Sequence, residues 1–60
     1  MAIYECLFFK DGRVAYWENL EAGSDISIET FLLAMLADAD WDAAEAWRDN
    51  VLKCQVTRPQ

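Results

Sequence analysis

Hydrophobic residues follow two different periods along this chain. In "IYECLFFKDGRVAYWENL", residues 3–20, two runs of aromatic and aliphatic residues flank Asp11-Gly12. An Asp-Gly pair suits a type I′ turn, whose two central residues both need positive φ. The stretch therefore predicts a β-hairpin. An unbroken ladder from that turn pairs Lys10 with Arg13, Phe9 with Val14, Phe8 with Ala15, Leu7 with Tyr16, Cys6 with Trp17 and Glu5 with Glu18. Directly paired residues share a face. One face then carries Ile3, Leu7, Phe9, Val14, Tyr16 and Leu20; the other carries Tyr4, Cys6, Phe8, Ala15 and Trp17. Both are largely apolar, whereas a sheet with one solvated face alternates more cleanly.

After the Gly- and Ser-containing break "EAGSD" the period changes. Ile28, Phe31, Leu32, Met35 and Leu36 recur at helical intervals and form one apolar stripe. This predicts a helix over 28–38, capped by Ser27, with Glu29 in the first turn where the helix dipole favours an acid. Asp40 is the expected cap of a second, alanine-rich helix over 41–49, with Trp41, Ala44 and Trp47 on its inner side and Asn50 as its stop. "VLKCQVT" alternates again, Leu52, Cys54 and Val56 against Lys53, Gln55 and Thr57, which predicts a half-buried strand over 51–57. Pro59 cannot donate to a ladder and suits that strand's end. No repeat or long linker divides the chain. The expectation is one α+β domain over 1–60 in the order ββααβ: a three-stranded, mainly antiparallel sheet, its last strand beside its first, with two helices on one face.

A domain of 60 residues has a small stability margin, because it buries only roughly 60% of the surface its unfolded chain exposes. At 55% hydrophobic it is too apolar to be a disordered acidic chain. Its charge is uneven. From Glu18 to Asp49 there are nine acids and one base, Arg48, while the whole chain has a formal net charge of −6. Such a field repels nucleic acid and anionic membranes and favours a basic partner. The start "MAIYECLFF" has no basic segment ahead of its short apolar run, and no stretch reaches the length of a membrane span, so the cytoplasm is the expected location.

Candidate chemistry is sparse. The chain has no histidine, the commonest general base and the usual partner of a nucleophilic serine or cysteine. Its only glycines, Gly12 and Gly23, build no phosphate-cradling loop. Cys6 and Cys54 are too few for a disulfide framework and read as small buried hydrophobes, although neighbouring first and last strands would let the sulfurs approach. A calcium loop counted from Asp38 has ligand-like Asp38, Asp40 and Asp42, but alanine stands where the tight turn needs glycine, and the last ligand position holds Asp49 instead of the longer glutamate. No enzyme activity, cofactor or metal is expected.

"DWDAAEAWRDN" reads best as a surface. Asp38, Asp42, Glu45 and Asp49 recur at helical spacing, so the carboxylates line one stripe and the tryptophans the opposite side. The expected function is a small acidic protein-binding modulator or inhibitor, comparable in size and charge to the short phage- or plasmid-encoded proteins that imitate nucleic-acid charge. Its partner offers a basic surface, and Asp38, Asp42, Glu45, Asp49 and Trp47, with Tyr16 and Trp17 of the hairpin, are the candidate contacts. The alternative is an assembly module, a homodimer joined through the two-sided apolar hairpin. Direct binding of nucleic acid or membrane is not expected.

Overall fold

A computed structural model describes residues 2–58; the expected role of Pro59 lies outside them. The chain folds as ββαββ, with β1 (Ala2–Lys10), β2 (Arg13–Ala22), α1 (Asp25–Asp38), β3 (Ala43–Arg48) and β4 (Val51–Thr57). The strands form one four-stranded antiparallel sheet in the order β2-β1-β3-β4. The helix α1 covers one face. The expected three-stranded sheet with two helices is thus corrected. The segment assigned to a helix over 41–49 is β3, and it stands between the first strand and the last.

Tertiary pairing overrides the helix preference of "AAEAWR". β1 needs a partner on the side away from β2, and β3 supplies it, from Glu5 opposite Trp47 to Phe9 opposite Ala43. The Asp42 N–H extends that ladder to the Phe9 carbonyl at 2.8 Å, and the Arg58 N–H extends the β3–β4 ladder to the Asp42 carbonyl at 2.8 Å. Ala44 and Ala46 face α1 and are fully buried. Their small side chains let the helix lie close to the sheet, which longer residues would prevent. Asn50 does adopt the left-handed conformation, but in a turn: Asp49 (φ 53°) and Asn50 (φ 63°) join β3 to β4 as Asp11 (φ 53°) and Gly12 (φ 79°) join β1 to β2. Both are type I′ connections.

α1 starts earlier than its apolar stripe implies. Ser24 is the N-cap, its hydroxyl accepting from the Ser27 N–H at 3.1 Å. The helix buries Ile28, Leu32 and Leu36, whereas Phe31, expected within the stripe, is half exposed. Tyr4 of β1 donates its hydroxyl to the Asp25 carboxylate at 2.5 Å and ties the first helical turn to the sheet. That hydrogen bond, helped by burial, raises the Tyr4 pKa above the ordinary tyrosine value.

Each hairpin carries one extra residue in its second strand. In the first, Phe9 pairs with Val14 but Phe8 pairs with Tyr16, so Ala15 is bulged. In the second, Trp47 pairs with Leu52 but Ala46 pairs with Cys54, so Lys53 is bulged. A shift of one residue exchanges the faces of everything beyond it. Without the first bulge, Trp17, Asn19 and Glu21 would face α1; with it, Tyr16, Glu18, Leu20 and Ala22 do. Without the second, Lys53 and Gln55 would lie beneath the helix; with it, Cys54 and Val56 do. Tyr16 therefore stands with Tyr4, Cys6 and Phe8, and Trp17 with Ile3, Leu7 and Phe9, the reverse of the unbroken-ladder expectation.

The two hairpins match in detail. Asp11-Gly12 corresponds to Asp49-Asn50, and Ala15 and Lys53 are each the third residue after their turn. β1 and β3 are antiparallel neighbours, so the match amounts to a pseudo-two-fold axis through the Leu7–Glu45 pair. The expectation of no repeat is thereby qualified: the turn-and-bulge geometry recurs although the side chains differ. Deleting Lys53 leaves Cys54 opposite Ala46 and only straightens the ladder, so stability should stay within about 1 kcal/mol of wild type. Deleting Gln55 must put Val56 outside or Lys53 inside, and should cost about 1.5–3 kcal/mol or more. Urea denaturation of the two variants measures the difference.

Candidate functional site

The face of the sheet away from α1 has no covering element among the described residues. The register sets out its side chains in rows across the strands. One row runs Val14, Phe9, Ala43, Thr57; the next Trp17, Leu7, Glu45, Gln55; the next Asn19, Glu5, Trp47, Leu52; the last Glu21, Ile3. Trp17 is 60% exposed, Ile3 59%, Val14 51% and Leu52 40%, while Leu7, Phe9 and Trp47 are half-buried. Large contiguous apolar surfaces are uncommon on the exterior of small proteins and are characteristic of interaction sites. Its charges are of one sign. Glu5, Glu21 and Glu45 hold ladder positions on it, and no Lys or Arg does. Lys10, Arg13 and Arg48 belong to the opposite parity, and Lys53 is the bulged residue.

The expected acidic stripe is not a stripe. Asp38 ends α1, Asp42 precedes β3, Glu45 lies on the open face and Asp49 sits in the second turn. Asp42 is part of the scaffold: its Oδ2 accepts the Asp11 N–H at 2.8 Å, which fastens the first turn to the start of β3. Lys10 Nζ lies 3.1 Å from Asp40 and 4.0 Å from Asp42, and the Asp40 contact raises the lysine pKa. Of the three aspartates weighed as a calcium loop, Asp40 and Asp42 thus serve the first hairpin through Lys10 and the Asp11 amide, while Asp38 ends α1.

The tryptophans separate as well. Trp41, expected beside Trp47, packs on the helix side of the sheet. Its ring lies 4.7 Å from Phe8 and stacks on Tyr16 at 5.3 Å with an interplanar angle of 4°. Arg58 fixes the segment around it, donating from Nε to the Trp41 carbonyl at 2.9 Å and from Nη2 to the Ala39 carbonyl. Tyr16 is therefore an aromatic buttress whose hydroxyl reaches Glu18 at 3.1 Å, which raises the Tyr16 pKa. Of the candidate contacts, the open face unites Trp17, Trp47 and Glu45. Trp47 donates its Nε1–H to Glu45 at 3.0 Å, and Gln55 donates to the other oxygen of Glu45 at 3.4 Å. Glu5, Ile3, Val14 and Leu52 on this face were not singled out by the sequence. Asp49-Asn50, a pair that tolerates consecutive positive φ, signals the second turn, but no local pattern gathers these residues onto one surface.

Cys6 and Cys54 lie in one row on the helix side, with Ala46 between them. Two strand spacings, roughly 9–10 Å, separate their backbones, beyond the span a disulfide bridges. The expectation that the sulfurs approach falls with the strand order behind it. Burial pushes the Cys6 thiol up to about 11 and raises that of Cys54. Neither is poised as a thiolate nucleophile at neutral pH. No helix among the described residues is long and apolar enough to cross a membrane.

Comparison with protein families, with curated proteins and with solved structures finds no match to this chain. Two measurements test the placement of its side chains. Asp42→Ala should destabilise the fold by about 1–2 kcal/mol, by removing the acceptor that holds the first turn. Asp38→Ala should stay within about 0.5 kcal/mol; thermal unfolding of both decides. In the native protein a thiol reagent should modify half-buried Cys54 before buried Cys6, and unfolding midpoints with and without reductant should coincide.

Proposed function

We propose that this chain is a small acidic protein-binding modulator that docks its open sheet face on an apolar surface bordered by basic residues of a protein partner. The observation that carries the proposal is the pairing of exposed Trp17, Ile3, Val14 and Leu52 with Glu5, Glu21 and Glu45 on one face that holds no base in its ladder positions. Apolar burial supplies affinity, and Trp17 is the anchor, as tryptophans at the centre of interfaces commonly are. The carboxylates supply orientation and encounter rate. A homodimer through the same face would bring like charges together in a chain of net charge −6, which favours a different, basic partner.

The test uses the chain as immobilised bait and sedimentation of the free protein. Trp17→Ala should leave stability within about 1 kcal/mol, since the ring is mostly exposed. It should weaken the partner complex by at least 2 kcal/mol, roughly thirty-fold. Joint replacement of Glu5, Glu21 and Glu45 by Gln should slow association and flatten its salt dependence. Phe31→Ala, on the helix side, should change neither. A partner complex indifferent to the Trp17 and glutamate changes sinks the proposal. A free dimer that Trp17→Ala dissolves assigns the face to self-association instead.

A further inference from the structure

At one end of the open face, where β1 passes the second turn, there is a recess of about 190 Å³ lined by Glu5, Leu7, Trp47, Asp49 and Asn50. Its volume is below the several hundred cubic ångströms of metabolite sites, so it fits one side chain. Its walls specify which kind. Leu7 and the half-buried Trp47 ring are apolar, and the ring is held in place by its 3.0 Å hydrogen bond to Glu45. Glu5 is directly opposite Trp47 in the ladder and has no ion-pair partner among the described residues. Asp49 and Asn50 reach the recess from the turn, where both have positive φ. Arg48, between Trp47 and Asp49 in the chain, does not line it and lies 3.8 Å from Asp49, with both side chains open to solvent.

A fixed aromatic face beside the unpaired Glu5 carboxylate, with Asp49 held only in a long, solvent-open contact to Arg48, suits a cation. Between the two basic side chains the geometry selects arginine. A guanidinium is planar, stacks on an indole, sheds water more readily than an ammonium and donates to two carboxylates at once. We propose that the recess receives an arginine side chain of the protein partner, its guanidinium lying on Trp47 and donating to Glu5 and Asp49. This rests on the open-face docking proposed above and names the residue that sets its register.

The experiment is an amide and indole NMR titration of the whole chain with blocked arginine (N-acetyl-arginine N-methylamide), blocked lysine and blocked citrulline, the uncharged isostere. Arginine should bind in the millimolar range, with shifts concentrated at the Trp47 indole and at Glu5, Asp49 and Asn50. Lysine should bind several-fold more weakly, and citrulline should leave these signals in place. Glu5→Gln should weaken arginine binding at least five-fold, and Glu29→Gln on the helix should not change it. Equal effects of arginine and citrulline, equal affinity for arginine and lysine, or shifts spread over the acidic surface without Trp47 would overturn the assignment. The two proposals fail separately. A Trp17-dependent partner complex with Trp47 unmoved by arginine removes the recess alone. Arginine binding at Trp47 with a complex indifferent to Trp17 removes the wider docking face and leaves the guanidinium site.

Discussion

The structure depends on strand parity, reset once in each hairpin. Side chains alternate strictly across a sheet, so a single extra backbone residue decides which half of a strand meets the core. Ala15 and Lys53 are those residues. Each follows a type I′ turn at the same distance, and each exchanges a set containing polar residues for one that can lie beneath α1. Asn19 and Glu21 are turned out in the first hairpin, Lys53 and Gln55 in the second. A bulge leaves its extra residue unpaired, yet burying those groups unsatisfied would cost far more.

The remaining core follows from this parity. Tyr4, Cys6 and Phe8 of β1 meet Ala44 and Ala46 of β3 across the sheet, and Ile28, Leu32 and Leu36 of α1 close over them. The two alanines set how near the helix lies, and the Tyr4–Asp25 hydrogen bond sets where its first turn stands. Beyond the end of the helix, Trp41 takes over as cover by packing tilted against Phe8 and stacking on Tyr16. The same parity sends Trp17, Trp47 and Leu52 to the opposite face. One device thus builds the core and leaves an apolar, one-sign surface uncovered among the described residues.

The acidic, aromatic segment at 40–50 is therefore three things in succession. Asp40 and Asp42 brace the first turn through Lys10 and the Asp11 amide. Glu45 and Trp47 are linked neighbours on the open face. Asp49 and Asn50 form a turn that borders the recess. Its charges act locally, through specific donors, as well as through the long-range field.

Much of this was determined by sequence alone. Asp11-Gly12 between two apolar runs specifies a hairpin, because few dipeptides tolerate two consecutive positive φ values. Ile28, Leu32 and Leu36 specify a helix with one buried line, because their spacing matches its turn. "VLKCQVT" specifies a half-buried strand, and the excess of acids specifies the sign of the field. Three things were decided only by tertiary structure. "AAEAWR" is composed of good helix formers and becomes a strand because β1 has an open edge beside it, a fact no local pattern carries. The two bulges are invisible to alternation, because Ala15 and Lys53 are unremarkable residues and only the helix overhead makes the unbulged register costly. The open face depends on both. Trp17, Trp47 and Glu5 share a surface because the first bulge and one non-local strand pairing bring them to the same side, and the β1–β3 pairing joins residues far apart in the chain.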